Sequence, residues 1–147
     1  AITSSDFNGD GIDDLVVGDP SFENGRGRVR VLIVNTPNRF GSRPVWGTGS
    51  IESSYWLYPE HFGLLDDTSY EFGSSLDSGN LTSDEVQDLV IGVPGAQSCK
   101  EGATETGLVI IAPKGSHGGH RLIDPPENSE NFGRLVATLP QACPHSS

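Results

Sequence analysis

Asp14-Leu15-Val16-Val17-Gly18-Asp19-Pro20 returns 74 positions further on as Asp88-Leu89-Val90-Ile91-Gly92-Val93-Pro94, with one position of seven changed in character. A short apolar run closed by Gly and Pro reads as a buried strand that ends in a turn. Downstream of each copy a glycine opens another apolar run, Gly27-Arg28-Val29-Arg30-Val31-Leu32-Ile33-Val34 in the first and Gly107-Leu108-Val109-Ile110-Ile111 in the second. Each unit therefore holds two consecutive strands. Pro20 and Gly27 are seven positions apart and Pro94 and Gly107 thirteen, so the loop between the strands varies in length.

Self-similarity of this kind marks a repeat architecture, in which each unit is one supersecondary element stacked on the next. Phe72-Gly73-Ser74-Ser75-Leu76 precedes the second copy, and Phe132-Gly133-Arg134-Leu135-Val136 follows 60 positions later, opening a third unit. Counting back from Asp14 by the interval from Phe72 to Asp88 places the matching Phe-Gly just ahead of Ala1. The expected division is residues 1–40 as the C-terminal part of one blade, 41–120 as a complete blade, and 121–147 as the start of another. Pro37 to Tyr58 is expected to supply an outer strand and the crossover. The fold class is all-β, a partial β-propeller of about two blades; closure takes roughly four to eight. Other chains or fragments would have to complete it.

Ahead of the first copy stands Asp6-Phe7-Asn8-Gly9-Asp10-Gly11-Ile12-Asp13-Asp14. With the Phe-Gly openings and the Gly-x-Pro endings, this loop resembles the FG-GAP repeat of integrin α-subunit propellers, which also occurs in glycosylphosphatidylinositol-specific phospholipases D. The chemistry of the residues agrees with that resemblance. Ca²⁺ takes six to eight oxygens, and alternate positions of a tight loop point theirs at one centre. Asp6, Asn8 and Asp10 are expected to give side-chain oxygens, Ile12 its carbonyl, and Asp14 a closing carboxylate. Gly11 sits where the backbone turns sharply, with φ above zero expected. Three carboxylates so close repel one another without an ion. An EF-hand would need glutamate at the twelfth position and flanking helices; that position is Val17, inside a strand run.

Aligning Asp88 with Asp14 puts Asn80, Thr82, Asp84 and Val86 at the other ligand positions and Glu85 where Gly11 stood. Fewer carboxylates, and a side chain where glycine is wanted, predict a turn without calcium. Asn80-Leu81-Thr82 is also a glycosylation sequon.

Net charge is −11, with 9 basic residues against 20 acidic, which argues against nucleic-acid phosphates and anionic membrane surfaces as partners. Arg26, Arg28 and Arg30 alternate with smaller residues and read as the solvated face of a strand. No apolar stretch is long enough to span a membrane. Cys99 and Cys143 are the one pair available for a disulfide. With the sequon, they lean towards a secreted or extracellular setting. His117 and His120 lack the further ligands that zinc needs and are read as loop residues. No catalytic motif stands out. The resemblance implies a non-catalytic, calcium-binding propeller portion of a secreted phospholipase D-like protein acting on glycosylphosphatidylinositol anchors. The alternative is an integrin-like adhesion or carbohydrate-binding propeller with a glycan or protein ligand.

Overall fold

The computed structural model describes residues 1–35, 39–40, 43–44, 50–65, 68–82, 85–97 and 106–138. Its strands are β1 (Ile2–Ser5), β2 (Asp14–Asp19), β3 (Arg28–Asn35), β4 (Arg39–Phe40), β5 (Arg43–Pro44), β6 (Ser50–Leu57), β7 (Ser75–Gly79), β8 (Asp88–Gln97), β9 (Thr106–Ala112) and β10 (Arg121–Ile123). They form two four-stranded antiparallel sheets, ordered β1-β2-β3-β6 and β10-β9-β8-β7, and β4 pairs with β5. Among the described residues the fold is mostly β, with two open sheets and no closed barrel, as in about two blades of a propeller. The first sheet takes its outer strand from Ser50–Leu57, so its four strands run past the boundary expected at residue 40. That boundary was set by repeat spacing alone. The first unit spends the extra residues on the β4–β5 hairpin, which the spacing of the second unit does not contain.

Because side chains alternate across a strand, register fixes which residues share a face. On the back of the first sheet, Val16 pairs with Val31 and Val31 with Tyr55, and beside them Gly18 pairs with Val29 and Val29 with Leu57. On the front of the second sheet, Leu76 pairs with Ile91, Ile91 with Ile110 and Ile110 with Leu122. These two faces share one core. Val16, Val29, Val31, Leu89, Ile91, Leu108 and Ile110 are fully buried within it. Burying each such side chain is worth about 1.5–3 kcal/mol, so the contact between the sheets is the main stabilising feature.

Gly18 and Gly73, from different motifs, meet at one joint. A Cβ on Gly18 would run into the carbonyl of Gly73, while Gly73 takes φ +83, where a side chain would press on Val29. Gly27 and Phe72 form a parallel bridge beside them, reinforced by Glu71 N–H to Gly25 O at 2.7 Å and Phe72 N–H to Arg26 O at 3.2 Å. The joint repeats at the next junction. Gly92 meets Gly133, which has φ +84, and Gly107 bridges Phe132. The Phe-Gly of one unit is thus the clasp that seats it on the glycines of the unit before.

Candidate functional site

The Asp6–Asp14 loop joins β1 to β2 and folds around its own side chains. Asp6 accepts N–H bonds from Gly9 (2.7 Å), Asp10 (3.1 Å) and Gly11 (2.7 Å). Asn8 accepts from Asp10 N–H and donates through Nδ2 to Asp10 Oδ2, each at 3.0 Å. Asp10 Oδ1 accepts from Ile12 N–H at 2.8 Å. These are local side-chain-to-backbone turns of the kind Asp and Asn favour. Gly11, at φ +84, makes the sharp turn in the left-handed region open to glycine.

Asp14 lies at the floor of the loop with no exposed surface. Its Oδ2 accepts from Phe7 N–H and its Oδ1 from Val34 N–H, both at 3.0 Å, so one carboxylate ties the loop to the far end of β3. Burial pushes its pKa up, the Val34 and Phe7 N–H groups pull it down, and the charges of Asp10 and Asp6 raise it again; the net direction is upward. The anion is under-compensated where it sits. Its field reaches Tyr55, whose hydroxyl pKa is raised by burial and then by Asp14. Tyr55 donates to Gly115 O at 2.9 Å, and Phe7, 2 % exposed, packs beside both.

The expected ligands Asp6, Asn8, Asp10, Ile12 and Asp14 therefore share one loop, and the charges of Asp10 and Asp6 act on Asp14. The donor set is all oxygen and suits a hard cation. As the side chains lie, among the described residues no three His, Cys, Asp or Glu groups converge closely enough to hold an ion. The carboxylates of Asp6 and Asp10 are turned onto backbone N–H groups.

The loop of the second unit is fastened differently. Asp88, also fully buried, accepts from Leu81 N–H (2.7 Å), Thr82 N–H (2.8 Å), Thr82 Oγ1 (3.0 Å) and Lys114 N–H (3.4 Å). Asn80 is exposed. Glu85 does not take positive φ, so this loop follows another path from the first. Asp84, Cys99 and Cys143 lie outside the described residues.

Sequence reasoning missed the shared latch: Asp14 and Asp88 each accept an N–H from the residue seven positions upstream and one from the far end of the third strand or just past it, Val34 and Lys114. The aligned aspartates at the start of β2 and β8 carried that signal. The arginine reading also changes. Arg26 pairs with Glu60 at 3.2 Å. The Arg28 guanidinium is held 3.8 Å from the Phe22 ring centroid and 4.0 Å from that of Trp56, with its Nε 3.2 Å from Asp19. Arg28 and Arg30 are half-buried and stacked, because the apolar stems and planar heads find aromatic faces to cover. His117 and His120 lie near a third histidine, His61, whose ring centroid is 5.2 Å from that of His117. His61 Nδ1 accepts from Tyr58 N–H and His120 Nδ1 bonds to His117 O, so each ring has a structural partner.

Among the described residues no helix is long and apolar enough to cross a membrane. Residues 1–32 match the family model described as FG-GAP repeat, a span that covers β1, the acidic loop, β2 and the start of β3. A search of curated proteins found no match. The repeat match and the two open four-stranded sheets together fit an FG-GAP propeller-like portion of about two blades.

Proposed function

We propose that the chain is a non-catalytic portion of a propeller whose first blade is fastened by calcium. The observation that carries this is Asp14, a fully buried carboxylate whose pKa is raised by burial and by its neighbours Asp10 and Asp6. A divalent cation relieves that repulsion. Asp6, Asn8, Asp10 and Asp14 would hold it by side-chain oxygens and Ile12 by its carbonyl. Its contribution is charge compensation, which locks the β1–β2 connection. The test is thermal unfolding in calcium and in chelator. An ion bound with Kd near ~10⁻⁵ M, supplied at ~1 mM, stabilises by about 2.7 kcal/mol. The melting temperature should fall in chelator, and Asp10→Ala should remove the difference.

The work of the assembled propeller is proposed as recognition. At the end of the sheets opposite the acidic loop, Pro20, Ser21, Asn24, Ser69, Glu71 and Arg134 line a cleft of about 570 Å³ formed by the loop after β2, the loop ahead of β7 and the start of the third unit. Loops on a rigid scaffold are where binding specificity is placed. This supports the integrin-like reading, with a glycan or protein ligand. The reading of a secreted phospholipase D-like parent rests on the resemblance, and in it this portion supports a catalytic domain carried elsewhere. Under both, Asn80 is a glycosylation acceptor and the isolated chain does not cleave an inositol-phosphate anchor. Turnover by the isolated chain contradicts the proposal.

A further inference from the structure

The front of the first sheet and the front of the second occupy the same repeat position and carry different chemistry. Across the second sheet the row Leu76, Ile91, Ile110, Leu122 is apolar throughout, and the first sheet packs on it. The matching row across the first sheet is Ile2, Val17, Arg30, Trp56. The neighbouring pair, Val93 and Leu108 in the second sheet, is Asp19 and Arg28 in the first. The inner half of this face exposes apolar side chains, Ile2 at 69 % and Leu15 at 37 %, beside Ser4 and Asp19. The outer half is a stack of guanidinium and indole planes. Arg28 lies between Phe22 and Trp56, and Arg30 lies 5.1 Å from the Trp56 centroid with Nη2 on Ser54 Oγ at 3.0 Å. Among the described residues, Arg30 Nε is buried without an acceptor.

We propose that this front face docks a β-sheet that is apolar on its inner strands and carries carboxylates on its outer strands. The inference rests on the propeller reading and adds the chemistry of the neighbour. Two guanidinium groups two residues apart on β3 are held flat by aromatic rings, so their ordering is already done before a partner arrives. Such groups bind carboxylates with charge-assisted, directional hydrogen bonds. Covering them with an apolar face would strand half-paired charges. A second copy of this chain is the wrong partner on both counts. The back of its second sheet presents Val90, Val109 and Ile111; its carboxylate, Asp77, sits on the strand β7 at the opposite edge and is held by the Thr138 hydroxyl, and its outer strand adds a cation, Arg121. The exposed apolar inner half likewise fits a protein sheet better than a sulfated glycan.

The test uses the full chain carrying Trp46→Phe, so that emission reports Trp56, the other of its two tryptophans. Three probes are titrated in calcium: a hairpin peptide whose docking face carries Val on one strand and Glu on the other, the same hairpin with Gln for Glu, and a heparin oligosaccharide. The Glu hairpin should shift Trp56 emission and bind roughly tenfold more tightly than the Gln hairpin. Arg28→Gln with Arg30→Gln should abolish that preference. The Lys pair at the same positions should recover part of it, since charge remains and the planar fork does not. Equal binding of the two hairpins, tighter binding of heparin, or self-association of the chain through this face each overturns the proposal. The propeller reading fails by a different readout, an unchanged melt when the Gly18–Gly73 joint is disrupted.

Discussion

Asp14 in the first sheet and Asp88 in the second occupy the same repeat position, are both fully buried, and both hold their loop to the end of the third strand. What surrounds them differs. Asp88 is satisfied by three backbone N–H groups and the Thr82 hydroxyl, all from the protein. Asp14 has two N–H groups and faces Asp10 and Asp6. One repeat thus closes its loop with neutral donors, and the other leaves a negative balance that a cation is suited to settle. The latch belongs to the fold and the acidic surroundings belong to one site.

The sharpest way to break the comparison is to remove the self-contained latch. Asp88→Ala strands part-buried donors at Leu81, Thr82 and Lys114 and opens a hole at a fully buried side chain, and should lower stability by about 4 kcal/mol in urea unfolding, with or without calcium. Calcium dependence of that loss would remove the distinction between the two loops.

The joints between units give the next largest effect. Gly18→Ala drives a methyl group into the Gly73 backbone, which is pinned between two sheets, and should cost about 3 kcal/mol. Gly92→Ala makes the same clash with Gly133, but just beyond Gly133 the Leu135 side chain is 86 % exposed. That segment can shift, so the loss there should be about 1 kcal/mol. Equal losses would mean that the second joint is as tightly held as the first.

Much of this is legible in the amino-acid sequence. The paired Asp-to-Pro segments showed the strands and their repetition, because a buried strand bounded by Gly and Pro is a local pattern. The acidic loop was legible for the same reason, since Asp6, Asn8 and Asp10 act within nine residues. Long-range features were not. That Gly18 and Gly73 form one joint depends on the stacking of sheets, which no spacing encodes. The sheet assignment of Ser50–Leu57 depends on an inserted hairpin that breaks the repeat. Arg28 and Arg30 alternate as an exposed strand face does, and only Phe22 and Trp56, brought from 6 positions before Arg28 and 26 after Arg30, turn them into a stack.

A smaller effect sits at the second junction. Asp77 is partly buried, which raises its pKa, but N–H groups of Thr138 and Ser78 and the Thr138 hydroxyl outweigh this and hold it below the usual carboxylate value. A depressed folded pKa contributes stability that is present above the unfolded value, about pH 4, and lost as pH falls through the folded value. Asp77→Asn should therefore lower stability slightly at neutral pH in urea unfolding, leave it nearly unchanged at pH values below the folded pKa, and so flatten the acid limb of the stability profile.

The most direct measurement is isothermal titration of the chain with Ca²⁺, paired with Asp10→Ala and Asp88→Asn. The account predicts one site per chain, lost in Asp10→Ala and kept in Asp88→Asn as long as that variant remains folded by circular dichroism. No heat of binding in the unmodified chain, or binding that survives Asp10→Ala, would contradict it.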